Sequence, residues 1–302
     1  MGTIKPMKVL HALPLAAAAL LVAAAAGGAV FVYSGAYNVG ASWQHTQVVY
    51  SMLELAMRRS VQLRARNIET PPLDDPQRVE RGASIYRDNC AQCHGAPGVA
   101  PSDIGKGMQP VPGTLIAAMQ RWEPREIYWL TRHGIKMSGM PAWEFRMDDA
   151  ALWDVVAFVQ RLSTLTPNAY AALAGLPPLP ALQQRSVDVQ PLLASISVSA
   201  NLPTPTLNQE GSVERGRQAL HQYACHSCHV IPGVTGSASY VGPPLAGLGS
   251  RTLMSGRLAN TQRNMQRWLQ QPQAVKPLTA MPSMGVTDAH AADMAAYLAT
   301  LL

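Results

Sequence analysis

Cysteine is scarce. There are four in 302 residues, and all four fall inside two five-residue stretches. None is left over for a structural disulfide. Charge is scarce too, at 14% against 48% hydrophobic residues. That is low for a soluble globular chain and points to a membrane segment. No block of like charge exists. Lys and Arg exceed Asp and Glu by six. Two of the lysines, Lys5 and Lys8, precede an apolar run, which leaves an excess of four beyond it. Those basic residues are scattered, so a nucleic-acid-binding face is excluded.

The two cysteine stretches are Cys90-Ala91-Gln92-Cys93-His94 and Cys225-His226-Ser227-Cys228-His229. Cys-x-x-Cys-His is the attachment pattern of a c-type haem. Two thiols at that spacing reach the two vinyl groups on one porphyrin edge and become thioethers. The next residue is then held beneath the ring, where its imidazole binds the iron. A bare Cys-x-x-Cys could be a redox disulfide or half a zinc site. The adjoining histidine, the second copy and the lack of other cysteines oppose both. The expectation is two covalently bound haem c groups, with His94 and His229 as proximal ligands.

Leu13 to Tyr33 is apolar and almost free of polar side chains. A membrane anchor is expected over residues 1–34, uncleaved, with the lysines inside and the remaining chain in the periplasm. Residues 35–76 form an amphipathic helix and linker. Val48, Met52, Leu55, Ala56 and Leu63 recur at helical spacing and should pack on the following domain. Two units follow, 77–166 and 208–302. Val79-Glu80-Arg81-Gly82 opens one and Val213-Glu214-Arg215-Gly216 the other. Each has a Met-Pro pair, Met140-Pro141 and Met281-Pro282, and a closing helical run with an aromatic, Phe158 or Tyr297. Gly82 and Gly216 should let that closing helix approach the first helix. Residues 167–207, rich in proline, should be largely extended.

The distal ligand must come from the loops after each motif. Met140 and Met281 occupy matching places, and the following proline stiffens the loop that presents the sulfur. Met137 and Met284, three residues away, are the rivals. His226 lies between thioether cysteines and cannot reach the far face, and His133 would need the loop rearranged. A ligating imidazole gives its other N–H to an outer partner. The Pro243 carbonyl is the candidate for His229, with Pro112 the counterpart for His94. Trp129 and Trp268 could donate an indole N–H to a propionate, and Arg251 could pair with one. His/Met ligation fills both axial positions and suits electron transfer.

With these residues in view, residues 77–165 and 211–302 each resemble class I cytochrome c. The segments Gly35-Ala36-Tyr37-Asn38-Val39-Gly40-Ala41 and His133-Gly134-Ile135-Lys136-Met137-Ser138-Gly139-Met140-Pro141-Ala142-Trp143 are similar to membrane-anchored cytochromes c of Proteobacteria. The first unit lacks the Gly-Pro-x-Leu run that the second has at Gly242-Pro243-Pro244-Leu245. The pairing of units also resembles dihaem cytochromes of the c4 type, which lack so long a proline-rich connection. The resemblance implies an all-α fold of two tandem cytochrome c domains plus one N-terminal transmembrane helix. It implies a non-enzymatic, periplasm-facing electron carrier of the bacterial inner membrane. Its donor would be a dehydrogenase or quinol-oxidising complex, and its acceptor a terminal oxidase or reductase. The alternatives are a fixed cytochrome subunit of a larger complex and a dihaem peroxidase.

Overall fold

The computed structural model describes residues 7–177, 211–239, 241–277 and 279–302. They fall into two bodies, Met1–Trp43 and Gln44–Leu302. The first holds helix α1, Met7–Tyr33. Within it Pro14–Tyr33 has 20 residues and a mean hydropathy of 2.3, long and apolar enough to cross a membrane.

The second body opens with α2, Gln47–Ala65. Its packing face is not the expected one. Val48, Met52, Leu55 and Leu63 are all more than half exposed, while Val61 and Ala65 are buried. Polar anchors set the orientation. Glu54 is 2.7 Å from Arg121, and Arg58 lies 5.0 Å from the centre of the Trp122 ring. Charge-assisted bonds between half-buried groups outweigh a face that could have been apolar.

The first of the two units contains α3, Pro76–Asn89; α4, Pro124–His133; and α5, Asp149–Arg161. Pro76 sits at the first helical position, and the Asp75 side chain accepts from Gln77 N–H at 3.0 Å, a start suited to both residues. The centre of the unit is the crossing of α3 and α5. A β-carbon on Gly82 would lie 1.9 Å from the Asp154 carbonyl oxygen and 2.9 Å from Phe158 Cβ. Only glycine allows that approach. Tyr86 and Phe158 are fully buried there, their rings 5.1 Å apart.

The proline-rich stretch does not begin extended. Pro167–Leu173 is a helix, α6, with Thr166 accepting from Ala169 N–H. Proline at the first helical position is tolerated because its missing N–H would have been unpaired anyway. Tyr170 then packs against Phe158 at 6.0 Å. The remainder expected as linker, 178–207, with Leu192, Leu193 and Ile196, lies outside the described residues.

The second unit contains α7, Val213–Gln222; α8, Gln262–Gln270; and α9, Asp288–Ala299. A β-carbon on Gly216 would lie 2.0 Å from the Asp293 carbonyl oxygen and 3.0 Å from Tyr297 Cβ, repeating the first crossing. The one strand pair among the described residues is the short antiparallel ribbon Leu253–Met254 with Leu258–Ala259. The architecture is otherwise helical.

A paired latch closes both crossings, and no spacing in the sequence marks it. Arg81 Nε is 2.7 Å from Asp154 Oδ2, and Arg215 Nε is 2.9 Å from Asp293 Oδ2. Both carboxylates are buried. The arginine of each Val-Glu-Arg-Gly run thus grips the helix that its glycine lets in.

Candidate functional site

The first motif grows out of α3. Cys90 keeps helical backbone at its C-cap, and Ala91–His94 forms one further turn. Gly95 then takes φ +66° and leaves the helix. Tyr86 holds this exit, its hydroxyl donating to the Gly95 carbonyl at 2.7 Å. The second motif starts differently. Ala224 sits in the left-handed region at φ +52°, and Cys225–Ser227 is a tighter 3-10 turn.

Both imidazoles are held from behind. His94 Nδ1 is 2.7 Å from the carbonyl oxygen of Gly113, and His229 Nδ1 is 2.7 Å from that of Pro243. The first partner is Gly113, not Pro112; the chain delivers the next carbonyl. Each Nδ1 carries the proton in that bond, which leaves Nε2 as the nitrogen with a free lone pair. Burial lowers the pKa of both histidines, against the carbonyl bond that raises it, so the neutral, ligating form is favoured.

Gly242 backs the second imidazole. A β-carbon there would come within 2.3 Å of His229 Cε1, so the glycine of the Gly-Pro-Pro-Leu run is needed for the ring to lie flat against the loop. Arg251 fixes the same loop, donating from Nη2 to the Pro244 carbonyl at 2.9 Å and the Ala246 carbonyl at 3.1 Å.

The thiols are buried or half-buried, and none is in a disulfide. Burial pushes Cys90 and Cys225 up to about 12, and raises Cys93 and Cys228 as well. Among the described residues no three His, Cys, Asp or Glu side chains gather as a metal cluster would require. Two free thiols beside an imidazole with a free Nε2 are what a c-type haem would use, the thiols for its thioether bonds and the nitrogen for its iron, and both motifs offer them.

The methionine loops differ. Met140 is half-buried; its carbonyl accepts from Ile135 N–H at 3.2 Å, and its N–H reaches Ser138 Oγ at 3.1 Å. Met137 is 93% exposed, with φ +60°. In the second unit Met281 borders the core while Met284 is buried within it. Met108 is a sulfur that the spacing does not flag. A β-carbon on Gly139, next to Met140, would lie 2.3 Å from Met108 Sδ.

The remaining candidates are scattered around these centres. Trp129 is half-buried and packs against His133, ring centres 4.9 Å apart. His133 Nδ1 is 3.4 Å from Glu144. Trp268 is half-buried on α8. His226 is buried and stacked on His221 at 4.8 Å, and burial lowers its pKa to about 3.

Comparison with known proteins agrees with this reading. The model of the cbb3-type cytochrome c oxidase subunit III family matches residues 77–159, and the cytochrome c model matches residues 213–302. The chain is 34% identical over 104 residues to cytochrome c oxidase subunit 2 of Alkalihalophilus pseudofirmus, across 34% of this chain and 28% of that protein. It is 24% identical over 139 residues to the cbb3-type cytochrome c oxidase subunit FixP of Sinorhizobium medicae, across 38% of this chain and 46% of that protein. The chain therefore spans less than half the length of either curated relative. No solved structure matches it. Residues 77–159 and 213–302 are two cytochrome c domains, and the chain belongs to the c-type cytochromes, proteins that carry covalent haem and transfer electrons.

Proposed function

We propose that this cytochrome is a membrane-anchored, dihaem subunit that passes electrons from a quinol- or dehydrogenase-linked donor to a terminal oxidase. In this reading Pro14–Tyr33 anchors it in the bacterial inner membrane, and both haem domains face the periplasm. Haem c supplies a one-electron couple at each site when bound. Cys90 and Cys93 would hold one haem and Cys225 and Cys228 the other. His94 and His229 would ligate through Nε2, with Met140 and Met281 on the opposite faces. A thioether ligand raises the potential relative to a second histidine. Trp129, Trp268 and Arg251 are the groups assigned to the haem edges.

The observation that carries the reading is the doubled backing bond, 2.7 Å from Nδ1 to a carbonyl at each motif. A bond of that kind fixes the ring and makes the imidazole a better ligand. Exposure of Met137 favours Met140 as the sulfur in the first unit. Were Met140 and Met281 to bind iron as His94 and His229 would, the chain would leave no position open to a substrate, which favours electron transfer over peroxidase chemistry. Both relatives are subunits of cytochrome c oxidases by name, which favours an oxidase as partner.

Purification in mild detergent tests this. The intact chain should be heavier by two haems and should bring a catalytic oxidase subunit with it. A chain that carries fewer than two haems, or that leaves the membrane alone under every mild condition, would overturn the proposal.

A further inference from the structure

The two cytochrome domains belong to one compact body, and their haem motifs meet. Gly113, whose carbonyl holds His94, packs directly on Ser227, a spacer residue of the other motif. A β-carbon on Gly113 would lie 3.0 Å from Ser227 Cβ and 3.4 Å from its Oγ. Ser227 Oγ is in turn 3.7 Å from Cys228 Sγ. A continuous chain of contacts therefore runs from the His94 imidazole of one site to the Cys228 sulfur of the other. It consists of one hydrogen bond, one van der Waals contact and a short side chain.

We propose that Gly113 and Ser227 form the electron crossing between the two haem sites. The inference rests on the dihaem reading above. The step balances as a one-electron exchange between the irons. The donor iron goes from ferrous to ferric and the acceptor from ferric to ferrous, with no bond made and no proton moved. Tunnelling weakens exponentially with every ångström of gap, so a contact without side chains between the backbone and Ser227 is what such a crossing needs. Gly113 does not have a positive φ, so a turn does not explain its lack of a side chain; the neighbouring domain does.

The contact is also fixed in place. Arg121 of the first domain donates to Ser237 of the second at 3.1 Å, and both are bound to Glu54 of α2 at 2.7 Å. Close-packed interfaces of this kind transmit small changes in side-chain volume.

The experiment follows one electron delivered photochemically to the purified full-length cytochrome and measures how fast it equilibrates between the two sites. Ser227→Gly opens a gap without a wedge, and Gly113→Val drives one in. Both should slow equilibration roughly tenfold, because the packed contact cannot absorb the change. In Ser227→Gly, haem content by mass and both midpoint potentials should stay as in the parent. Gln109→Leu breaks a bond of 2.9 Å to His221 Nε2 that is no part of the route, and should leave the rate within about twofold because every atom of the Gly113–Ser227 contact is kept. An unchanged rate in Ser227→Gly would overturn the crossing, as would an equal slowing in Gln109→Leu. Should Gly113→Val fail to mature, Ser227→Gly alone decides. A parent chain with fewer than two haems would sink the dihaem reading and this inference with it. Failure of the route alone would leave mass and potentials intact, so the two are told apart.

Discussion

The two cytochrome domains reach one geometry with exchanged side chains. In the first, the phenol stands on the motif helix: Tyr86 donates to the Gly95 carbonyl at 2.7 Å, and Phe158 of α5 packs on its ring. In the second, Leu220 takes the place on α7, and the phenol comes from α9: Tyr297 donates to the Pro232 carbonyl at 2.5 Å. Common to both are the glycine pressed on an aspartate carbonyl and the arginine that grips that aspartate. The geometry of the crossing and a tied loop after the motif are what the site requires. Which helix supplies the tie is free to differ.

The largest expected effect comes from the shared feature. Gly82→Ala and Gly216→Ala should each cost about 3 kcal/mol or more, because the added carbon overlaps a backbone carbonyl that cannot step aside. Each should loosen its own domain in denaturant unfolding followed at the haem bands. If either variant unfolds like the parent, that crossing is not what positions its haem.

Removing the latch should cost less. Arg215→Ala leaves the Asp293 carboxylate buried with only the Ser212 N–H, at 2.6 Å, and should cost about 1–3 kcal/mol. Burial pushes the Asp293 pKa up, but the bonds from Arg215 and Ser212 outweigh it and hold the carboxyl below its usual range. The folded value thus lies below the unfolded one. The contribution is present above about pH 4 and fades as pH falls through the folded pKa. Melting curves between neutral and acid pH should show the parent losing more stability on acidification than Arg215→Ala does. A steeper loss in the variant would reverse the assignment.

Tyr86→Phe and Tyr297→Phe test the exchange directly. Each leaves a loop carbonyl without its donor and should cost about 1 kcal/mol, in its own domain only. The smallest effect should be a gain. Ala224 holds a left-handed backbone that a β-carbon opposes, so Ala224→Gly should stabilise the second domain by about 1 kcal/mol. The first domain, where helical backbone runs straight into Cys90, offers no equivalent. A destabilised Ala224→Gly would mean that backbone strain is not what distinguishes the starts of the two haem motifs.

Much of this was legible in the sequence because it is local or repeated. The motifs, the two glycines and the offset Met-Pro pairs are visible as a duplication, and the Gly-Pro-Pro-Leu run led to the His229 partner. The rest depends on tertiary contact. The apolar row of α2 read as a packing face, yet Glu54 and Arg58 turn it outward. Thr166 and Pro167 start a helix, which proline content alone hid. The carbonyl behind His94 comes from Gly113, not Pro112; proline followed by glycine there, against glycine followed by proline at 242–243, was the signal available. The contact of Gly113 with Ser227 joins residues of different domains, and no local pattern carries it.

In the proposed function Met140 and Met281 would close the iron faces that His94 and His229 leave open. The most direct measurement is the sulfur-to-ferric charge-transfer band of the oxidised protein, compared among the parent, Met140→Ala and Met281→Ala. Each substitution should remove one band and lower one midpoint potential, leaving the other site unchanged. Retention of both bands in either variant, or loss of one in Met137→Ala, Met284→Ala or Met108→Ala instead, would contradict the account.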